Sequence, residues 1–191
     1  METAVVMNQT KKKLHPHKFT LWVAIASILM MFAGLTSAFI VKSNLVGWKN
    51  IGIPRVFWVS TAVIMISSLT IQMALRAFKQ REMGQYRMLM GVTFGLGTLF
   101  VVLQWVGFQG LWDQGIRFTG SAGAGQFLYV IFGLHAVHVI GGLVTLLVMF
   151  IKAFAGKIKL YSSVPVEVVA TYWHFVDILW LYLLIFFLII G

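Results

Sequence analysis

The chain contains no cysteine, so a disulfide framework, a thiolate metal site and a cysteine nucleophile are all excluded. Acidic residues are almost as scarce, with five Asp and Glu among 191 residues. Charged residues make up 10% of the chain, against about a quarter in an average soluble domain. So few ionisable side chains leave little material for acid–base or metal chemistry, which argues against a soluble enzyme.

Apolar residues dominate the chain, at 60% of its length and a mean hydropathy of +0.90. A membrane-spanning helix needs about 20 mostly apolar residues, and five stretches qualify: 19–41, 56–75, 88–112, 126–151 and 168–190. The stretches are apolar throughout rather than alternating, which excludes a β-barrel. We therefore predict an all-α integral membrane protein. A cytoplasmic N-terminal tail (1–17) precedes an uncleaved five-transmembrane-helix bundle (18–191), in which Gly91 and Gly95 favour close helix packing.

The basic residues predict the orientation of the bundle, because Lys and Arg gather on the cytoplasmic side of a membrane. With the N-terminus inside, the inner segments hold eleven basic residues: Lys11, Lys12, Lys13, Lys18, Arg76, Lys79, Arg81, Arg87, Lys152, Lys157 and Lys159. The outer segments hold four: Lys42, Lys49, Arg55 and Arg117. The asymmetry favours an N-inside, C-outside topology. The same asymmetry explains the net charge of +10 by membrane orientation and not by a nucleic-acid-binding surface.

Four ionisable residues lie inside the predicted spans, where each is a functional hypothesis by default. His135 and His138 share one face of helix four, and His174 and Asp177 share one face of helix five. A rise of about 1.5 Å per residue places His138 and Asp177 at similar depth, so we expect a hydrogen bond between them. Buried structural pairs are the favoured interpretation. A proton or regulatory role, a zinc or iron site, and a haem held by His135 and His174 remain open.

Helix five also carries an acidic residue and aromatic side chains around its polar pair. Glu167 lies in the predicted first turn, where an acid favours the helix N-terminus. Contact with lipid or another subunit is the alternative for Glu167. Tyr172, Trp173 and Trp180 are expected either to pack inside the bundle or to contact lipid or another subunit.

Two segments resemble a known family. Glu-Val-Val-Ala-Thr-Tyr-Trp-His-Phe-Val-Asp-Ile-Leu-Trp, from Glu167 to Trp180, is similar to the last-helix signature of subunit III of haem-copper terminal oxidases of the cytochrome c oxidase type. Gly-Leu-His-Ala-Val-His-Val-Ile-Gly, from Gly133 to Gly141, resembles that family's preceding helix. Five helices match its short bacterial form. That form usually carries a buried Glu in its first helix, where this chain has Ile28, so no role of that Glu is carried over.

The resemblance implies a non-catalytic respiratory subunit of the bacterial inner membrane, with no catalytic, cofactor-binding or metal-binding residue. Its implied partners are oxidase subunits I and II, with subunit IV or a larger supercomplex beyond them, and no nucleic acid. Haems and copper would belong to the partner subunits. The chain itself would hold phospholipids in a cleft, stabilise subunit I and support sustained proton uptake during oxygen reduction. Cytochrome c is the expected electron donor and quinol the alternative. A small bis-His membrane cytochrome and a transporter are the rivals from other classes.

Overall fold

The computed structural model describes residues 16–43, 54–113, 124–154 and 163–190. Within these ranges the chain forms five helices and no strand: α1 (Pro16–Ser43), α2 (Val56–Lys79), α3 (Met83–Asp113), α4 (Ala124–Phe154) and α5 (Val164–Ile190). All five are long and apolar enough to cross a membrane, which confirms the predicted all-α fold. Residues 1–15, most of the predicted N-terminal tail, lie outside the described ranges.

The helices are longer than the apolar stretches that predicted them. The prediction for α3 began at residue 88, but the helix begins at Met83 and includes Arg87. Most of the predicted boundaries lie next to a charged residue, whereas backbone hydrogen bonding continues past it because a charged side chain at a helix end reaches the membrane surface. The charges therefore mark the edge of the hydrocarbon and not the end of the helix.

Helix α5 is the central element. It packs against α1, α2 and α4, while α3 packs against α2 and α4. Half of the apolar window of α5 is buried inside the protein, compared with 22–28% for the other four helices. The helices α2, α3, α4 and α5 thus form a closed ring of neighbours. Helix α1 lies outside that ring, against α4 and α5.

Two tryptophans of α5 fill the middle of the ring, where both Trp173 and Trp180 are fully buried. Glycines of the neighbouring helices make room for Trp173. A Cβ atom at Gly97 would lie 2.8 Å from the Trp173 ring, and one at Gly142 would lie 3.0 Å from it. A Cβ at Gly95, which we predicted to be a packing glycine, meets nothing within 4 Å. The close approach therefore depends on Gly97 and not on Gly95.

Several helix ends are tied together at one end of the bundle, called here the Glu167 end. Helices α2 and α3 join there through a three-residue turn, in which Arg81 adopts a positive φ of 63°. The Arg81 and Glu82 N–H groups donate back to Phe78 and Ala77, so the last carbonyls of α2 are satisfied. Arg87 donates to the Ala153 carbonyl near the end of α4 (2.9 Å). This arrangement places the starts of α1, α3 and α5 beside the ends of α2 and α4.

Candidate functional site

Polar side chains face one another along the contact between α2 and α5, and we call this set the α2–α5 polar seam. Its members on α2 are Thr61, Ser67, Ser68 and Gln72, and its members on α5 are Trp173, His174, Asp177 and Trp180. On a helix, residues that are seven apart lie on one face, as Thr61 and Ser68 do. The seam therefore runs along one face of α2 and one face of α5.

His174 is held from two sides by α2. Its Nδ1 atom lies 2.6 Å from the Ser68 hydroxyl, and its Nε2 atom lies 3.2 Å from Gln72 Oε1. An amide oxygen accepts hydrogen bonds, so Nε2 carries a proton, while Nδ1 accepts from Ser68 when the ring is neutral and donates to it when the ring is protonated. Either arrangement leaves neither nitrogen free for a metal.

Both seam tryptophans donate to hydroxyl groups of α2. The Trp173 indole N–H donates to Ser67 Oγ (3.1 Å), and the Trp180 N–H donates to Thr61 Oγ1 (3.0 Å). We expected these tryptophans to contact lipid or another subunit if they were not packed inside the bundle. That alternative is wrong, because both rings are buried within the chain. Their indole N–H groups need partners at this depth, and α2 supplies them.

Asp177 is the one ionisable seam residue with no hydrogen bond. It is 2% exposed, and neither carboxyl oxygen has a hydrogen-bond partner among the described residues. The Ser68 hydroxyl is close enough to interact with the carboxyl group. The expected bond from Asp177 to His138 is absent. The two depths were estimated from helix rise, but depth does not determine which way a side chain points around the helix axis.

The two histidines of α4 lie on the other side of α5. His138 Nδ1 is 2.7 Å from the Leu134 carbonyl of its own helix, and the side chain is only partly buried. His135 is 2% exposed and stacks on the Trp180 ring at 5.4 Å, and neither of its nitrogens has a partner among the described side chains and backbone groups. Tyr172, half-buried, donates to the His138 carbonyl (3.1 Å). Four residues were predicted to be buried. His135 and Asp177 are buried, whereas His138 and His174 are partly buried.

Glu167 forms an ion-pair clamp that joins three helices. Its carboxylate contacts Lys18 Nζ of α1 at 2.7 Å and Lys79 Nζ of α2 at 3.0 Å. The Ser163 hydroxyl donates to the same carboxylate (3.0 Å). The side chain of Glu167 is 20% exposed, while the two lysines are 41% and 53% exposed. Glu167 thus contacts other helices of this chain as well as occupying the first turn of α5.

The described residues do not fit a metal or haem site. No group of three or more His, Cys, Asp or Glu side chains converges within them. His135 and His174, the predicted haem pair, lie on different sides of α5. His174 has both nitrogens engaged by α2, whereas His135 packs against Trp180 with Phe32 at its edge. A bis-His haem would require both rings to turn away from these contacts.

Apolar cavities follow the outer surface of the bundle. One of about 320 Å³ lies between α1 and α5, and its lining residues are Leu29, Phe32, Ala33, Phe175, Ile178, Leu179 and Tyr182. A second, of about 240 Å³, lies closer to the Glu167 end and has Lys18, Trp22, Leu75, Glu167 and Thr171 in its wall. Because α1 and α2 do not pack against each other, α5 forms the floor of a groove between them.

Sequence reasoning missed the partners that α2 contributes. Ser67, Ser68 and Gln72 are uncharged, and such residues are common in helices, so none was singled out. A signal was present in the sequence, because Ser60 and Ser67, like Thr61 and Ser68, are seven residues apart. Lys18 and Lys79 were assigned only to membrane orientation, although both also bind Glu167.

The comparisons with known proteins agree on one family. The family model for cytochrome c oxidase subunit III matches residues 1–191. A probable cytochrome c oxidase subunit 3 of Nocardia farcinica is 31% identical, over 82% of this chain and 79% of its own length. A cytochrome c oxidase subunit 3 of Bacillus sp. is 28% identical, over 85% and 80%. A cytochrome bo(3) ubiquinol oxidase subunit 3 of Buchnera aphidicola is 28% identical, over 89% of each chain.

Proposed function

Because the chain belongs to the cytochrome c oxidase subunit III family, we propose that it is the non-catalytic third subunit of a bacterial respiratory haem-copper oxidase. It is a multi-pass membrane protein that associates with other oxidase subunits. In this proposal subunits I and II are its direct partners and hold the haems and copper. The main support is the family match over the whole chain. A subunit IV or a larger respiratory supercomplex would extend the same assembly.

The polar residues of the bundle support a non-catalytic role. The side chains of His174, Trp173 and Trp180 make hydrogen bonds that join α5 to α2. Their chemistry is used to hold helices together in hydrocarbon, where an unsatisfied polar group is costly. We therefore assign His135, His138, His174 and Asp177 to the architecture of the subunit and not to electron transfer.

The Glu167 end is proposed to face the cytoplasm. Of the basic residues that we predict to be inside, Lys18, Arg76, Lys79, Arg81, Arg87 and Lys152 lie at or near this end of their helices. Basic residues are retained on the cytoplasmic side and attracted by anionic lipid there. Protease or cysteine-labelling accessibility in intact cells and in inverted vesicles tests this orientation.

Phospholipid binding is proposed for the groove between α1 and α2. Its lining includes apolar side chains of α1, α2 and α5 that suit an acyl chain, and its end carries Lys18 and Lys79. Each lysine has three N–H donors and gives one contact to Glu167, which leaves donors for a headgroup phosphate. A lipid held there would stabilise the contact of α1 with the bundle and, through it, the docking on subunit I that sustained proton uptake requires.

Cytochrome c is the proposed electron donor, because the Nocardia and Bacillus relatives are named as cytochrome c oxidase subunits. The Buchnera relative is named as a ubiquinol oxidase subunit, so quinol is the second candidate. The complex that contains this chain can be assayed with each reduced donor. Oxidation of reduced cytochrome c is expected, and oxidation of ubiquinol alone would assign the other donor.

Purification in mild detergent through a tag on this chain tests the proposal. Subunits I and II are expected to co-purify, and the complex without this chain should begin turnover normally and then lose activity during turnover. The isolated chain is expected to show no haem absorbance. A stoichiometric haem spectrum in the isolated chain would instead support the membrane cytochrome. Absence of oxidase subunits from the purified complex would reject the proposal.

A further inference from the structure

The carboxyl group of Asp177 lies at the midpoint of a membrane-spanning helix. Asp177 is the fourteenth of the 27 residues of α5, and its side chain is 2% exposed. Neither oxygen has a hydrogen-bond partner in the part of the chain that the structure describes. A carboxylate needs counter-charge or several hydrogen bonds to remain ionised away from water.

The helices packed against α5 supply no such counter-charge near Asp177. Helix α2 presents neutral Ser68 and Gln72 to this part of α5, and its cations Arg76 and Lys79 lie in its last turn, where Lys79 pairs with Glu167. On α4 the ionisable groups are His135, which stacks on Trp180, and His138, which bonds to its own helix; Lys152 lies in the last turn of that helix. The described cations of α1, Lys18 and Lys42, lie in its first and last turns.

His174 lies one turn before Asp177 on the same face of α5, and a neutral ring completes its hydrogen bonds. In that ring Gln72 accepts from Nε2–H, and Ser68 donates to Nδ1. The Ser68 oxygen therefore has a lone pair that is available to accept a hydrogen bond. An ionised Asp177 could not use that lone pair, because a carboxylate has no proton to donate.

We propose that Asp177 is a proton-binding site: it carries a proton at neutral pH and, as a carboxylic acid, donates a hydrogen bond to the Ser68 hydroxyl. Ser68 then donates to His174 Nδ1, and His174 Nε2–H donates to Gln72. In this series of hydrogen bonds, each of the three donors has an acceptor. The buried acid thus needs no counter-ion, and its proton completes the α2–α5 polar seam. The proposal rests on contacts within this chain and is independent of the oxidase assignment.

Because the chain has so few aspartates, the protonation state of Asp177 can be observed directly. Asp113 and Asp177 are the only two aspartates in the sequence, so aspartate labelled with ¹³C at the carboxyl carbon gives two signals from this chain. Solid-state NMR of the full chain in lipid bilayers at pH 7 measures both. Asp113 is exposed at the end of α3 and serves as the solvent-exposed reference. The Asp177 signal is expected at the shift of a carboxylic acid, and two signals at the carboxylate shift would overturn the proposal.

Two substitutions assign the signals and serve as controls. Asp177→Asn is expected to remove the carboxylic-acid signal and, because it keeps a neutral donor beside Ser68, to leave the yield of folded chain near that of the wild type. Asp113→Asn should remove the reference signal alone. If Asp177→Asn does not fold, Asp113→Asn still isolates the Asp177 signal, so the spectrum alone decides the protonation state.

The pH dependence of stability gives a second readout. A folded state that holds a proton at Asp177 loses stability as pH rises, because the unfolded chain releases that proton more readily. The wild type is therefore expected to lose stability steadily as pH rises from about 4, the ordinary pKa of an unfolded aspartate, through neutral pH, and Asp177→Asn should reduce that slope. Equal slopes for the two proteins would contradict the proposal.

Discussion

The two sides of α5 are attached to their neighbours in different ways. On the α2 side, three hydrogen-bonding residues of α5 reach across to hydroxyl and amide groups, and Trp173 of α5 fills a space left by Gly97 of the adjoining helix α3. On the α1 side, an apolar cavity of about 320 Å³ intervenes. Among the described side chains, polar contacts on this side include a bond between the Thr36 and Tyr182 hydroxyls (3.0 Å) and the Lys18–Glu167 ion pair.

This difference separates a rigid unit from an attached helix. In lipid there is no hydrophobic driving force between apolar helices, so packing and interhelical hydrogen bonds decide which contacts hold. The α2 side has both, whereas the α1 side has an apolar cavity. We therefore expect α2, α3, α4 and α5 to remain together when α1 separates. Substitutions on the two sides should therefore differ in how much stability they remove and in which helices separate.

The largest effect is expected from Gly97→Ala on α3, which tests the packing around Trp173 inside the ring formed by α2, α3, α4 and α5. The added Cβ atom would lie 2.8 Å from the Trp173 ring and from Leu143 Cδ2. The tryptophan is buried on all sides and cannot move away, so overpacking should cost about 1–3 kcal/mol in the free energy of unfolding. Unfolding of the full chain in bilayers by added denaturing detergent measures the difference.

Gly95→Ala is the matched control for that substitution. It lies on the same helix two residues earlier, and its Cβ meets nothing within 4 Å. We expect it to leave stability unchanged or to raise it slightly, since alanine is a better helix former than glycine. Equal losses for both variants would show that glycine acts through the α3 backbone and not through contact with Trp173.

The second effect concerns the hydrogen bonds of the seam. Ser67→Ala leaves the buried Trp173 N–H without its acceptor, which should cost about 1–2 kcal/mol. Ser27→Ala is the control, because Ser27 is exposed and bonds only to the Val23 carbonyl of its own helix. The same unfolding assay applies. A loss for Ser67→Ala no greater than for Ser27→Ala would mean that packing alone holds α2 to α5.

The fold was predictable from the sequence because span length is a local property. Five apolar stretches give five helices wherever they later pack. The arrangement of the helices was not predictable, since it depends on which faces meet. Gly91 and Gly95 form the familiar small-residue spacing, but the glycine that admits Trp173 is Gly97, which the sequence analysis did not single out.

The candidate site was predictable in part, for the same reason. Ionisable residues inside a span are conspicuous, so His135, His138, His174 and Asp177 could be named from the sequence. Their partners could not, because depth along a helix is calculable from its rise while rotation about its axis is a tertiary property. Asp177 therefore lies beside Ser68 and makes no bond to His138.

A smaller effect is expected on the α1 side from Glu167→Gln. The substitution removes both ion pairs that hold Lys18 and Lys79, and since the lysines are substantially exposed, the loss should be about 1 kcal/mol or less. Salt should weaken the wild-type contact and leave the variant unaffected. Hydrogen exchange should rise at the start of α1 while the core of α5 stays protected.

Glu82→Gln is the control for the clamp, because Glu82 is an exposed acid at the same end of the bundle. It is expected to change neither the exchange at α1 nor its salt dependence. If Glu167→Gln instead exposed α5 and α2 together with α1, the clamp would belong to the rigid unit, and the distinction between the two sides would fail.

The smallest effect is expected from Tyr182→Phe, which removes the hydroxyl that joins α5 to Thr36 of α1. Thr36 keeps acceptors in the Phe32 and Ala33 carbonyls of its own helix, so no buried donor is left without a partner. The loss should be about 0.6 kcal/mol, the average for such bonds between membrane helices. A double-mutant cycle with Thr36→Val isolates the coupling. A coupling equal to that between Ser67 and Trp173 would mean that α1 is held as firmly as α2, and that the cavity between α1 and α5 does not weaken their contact.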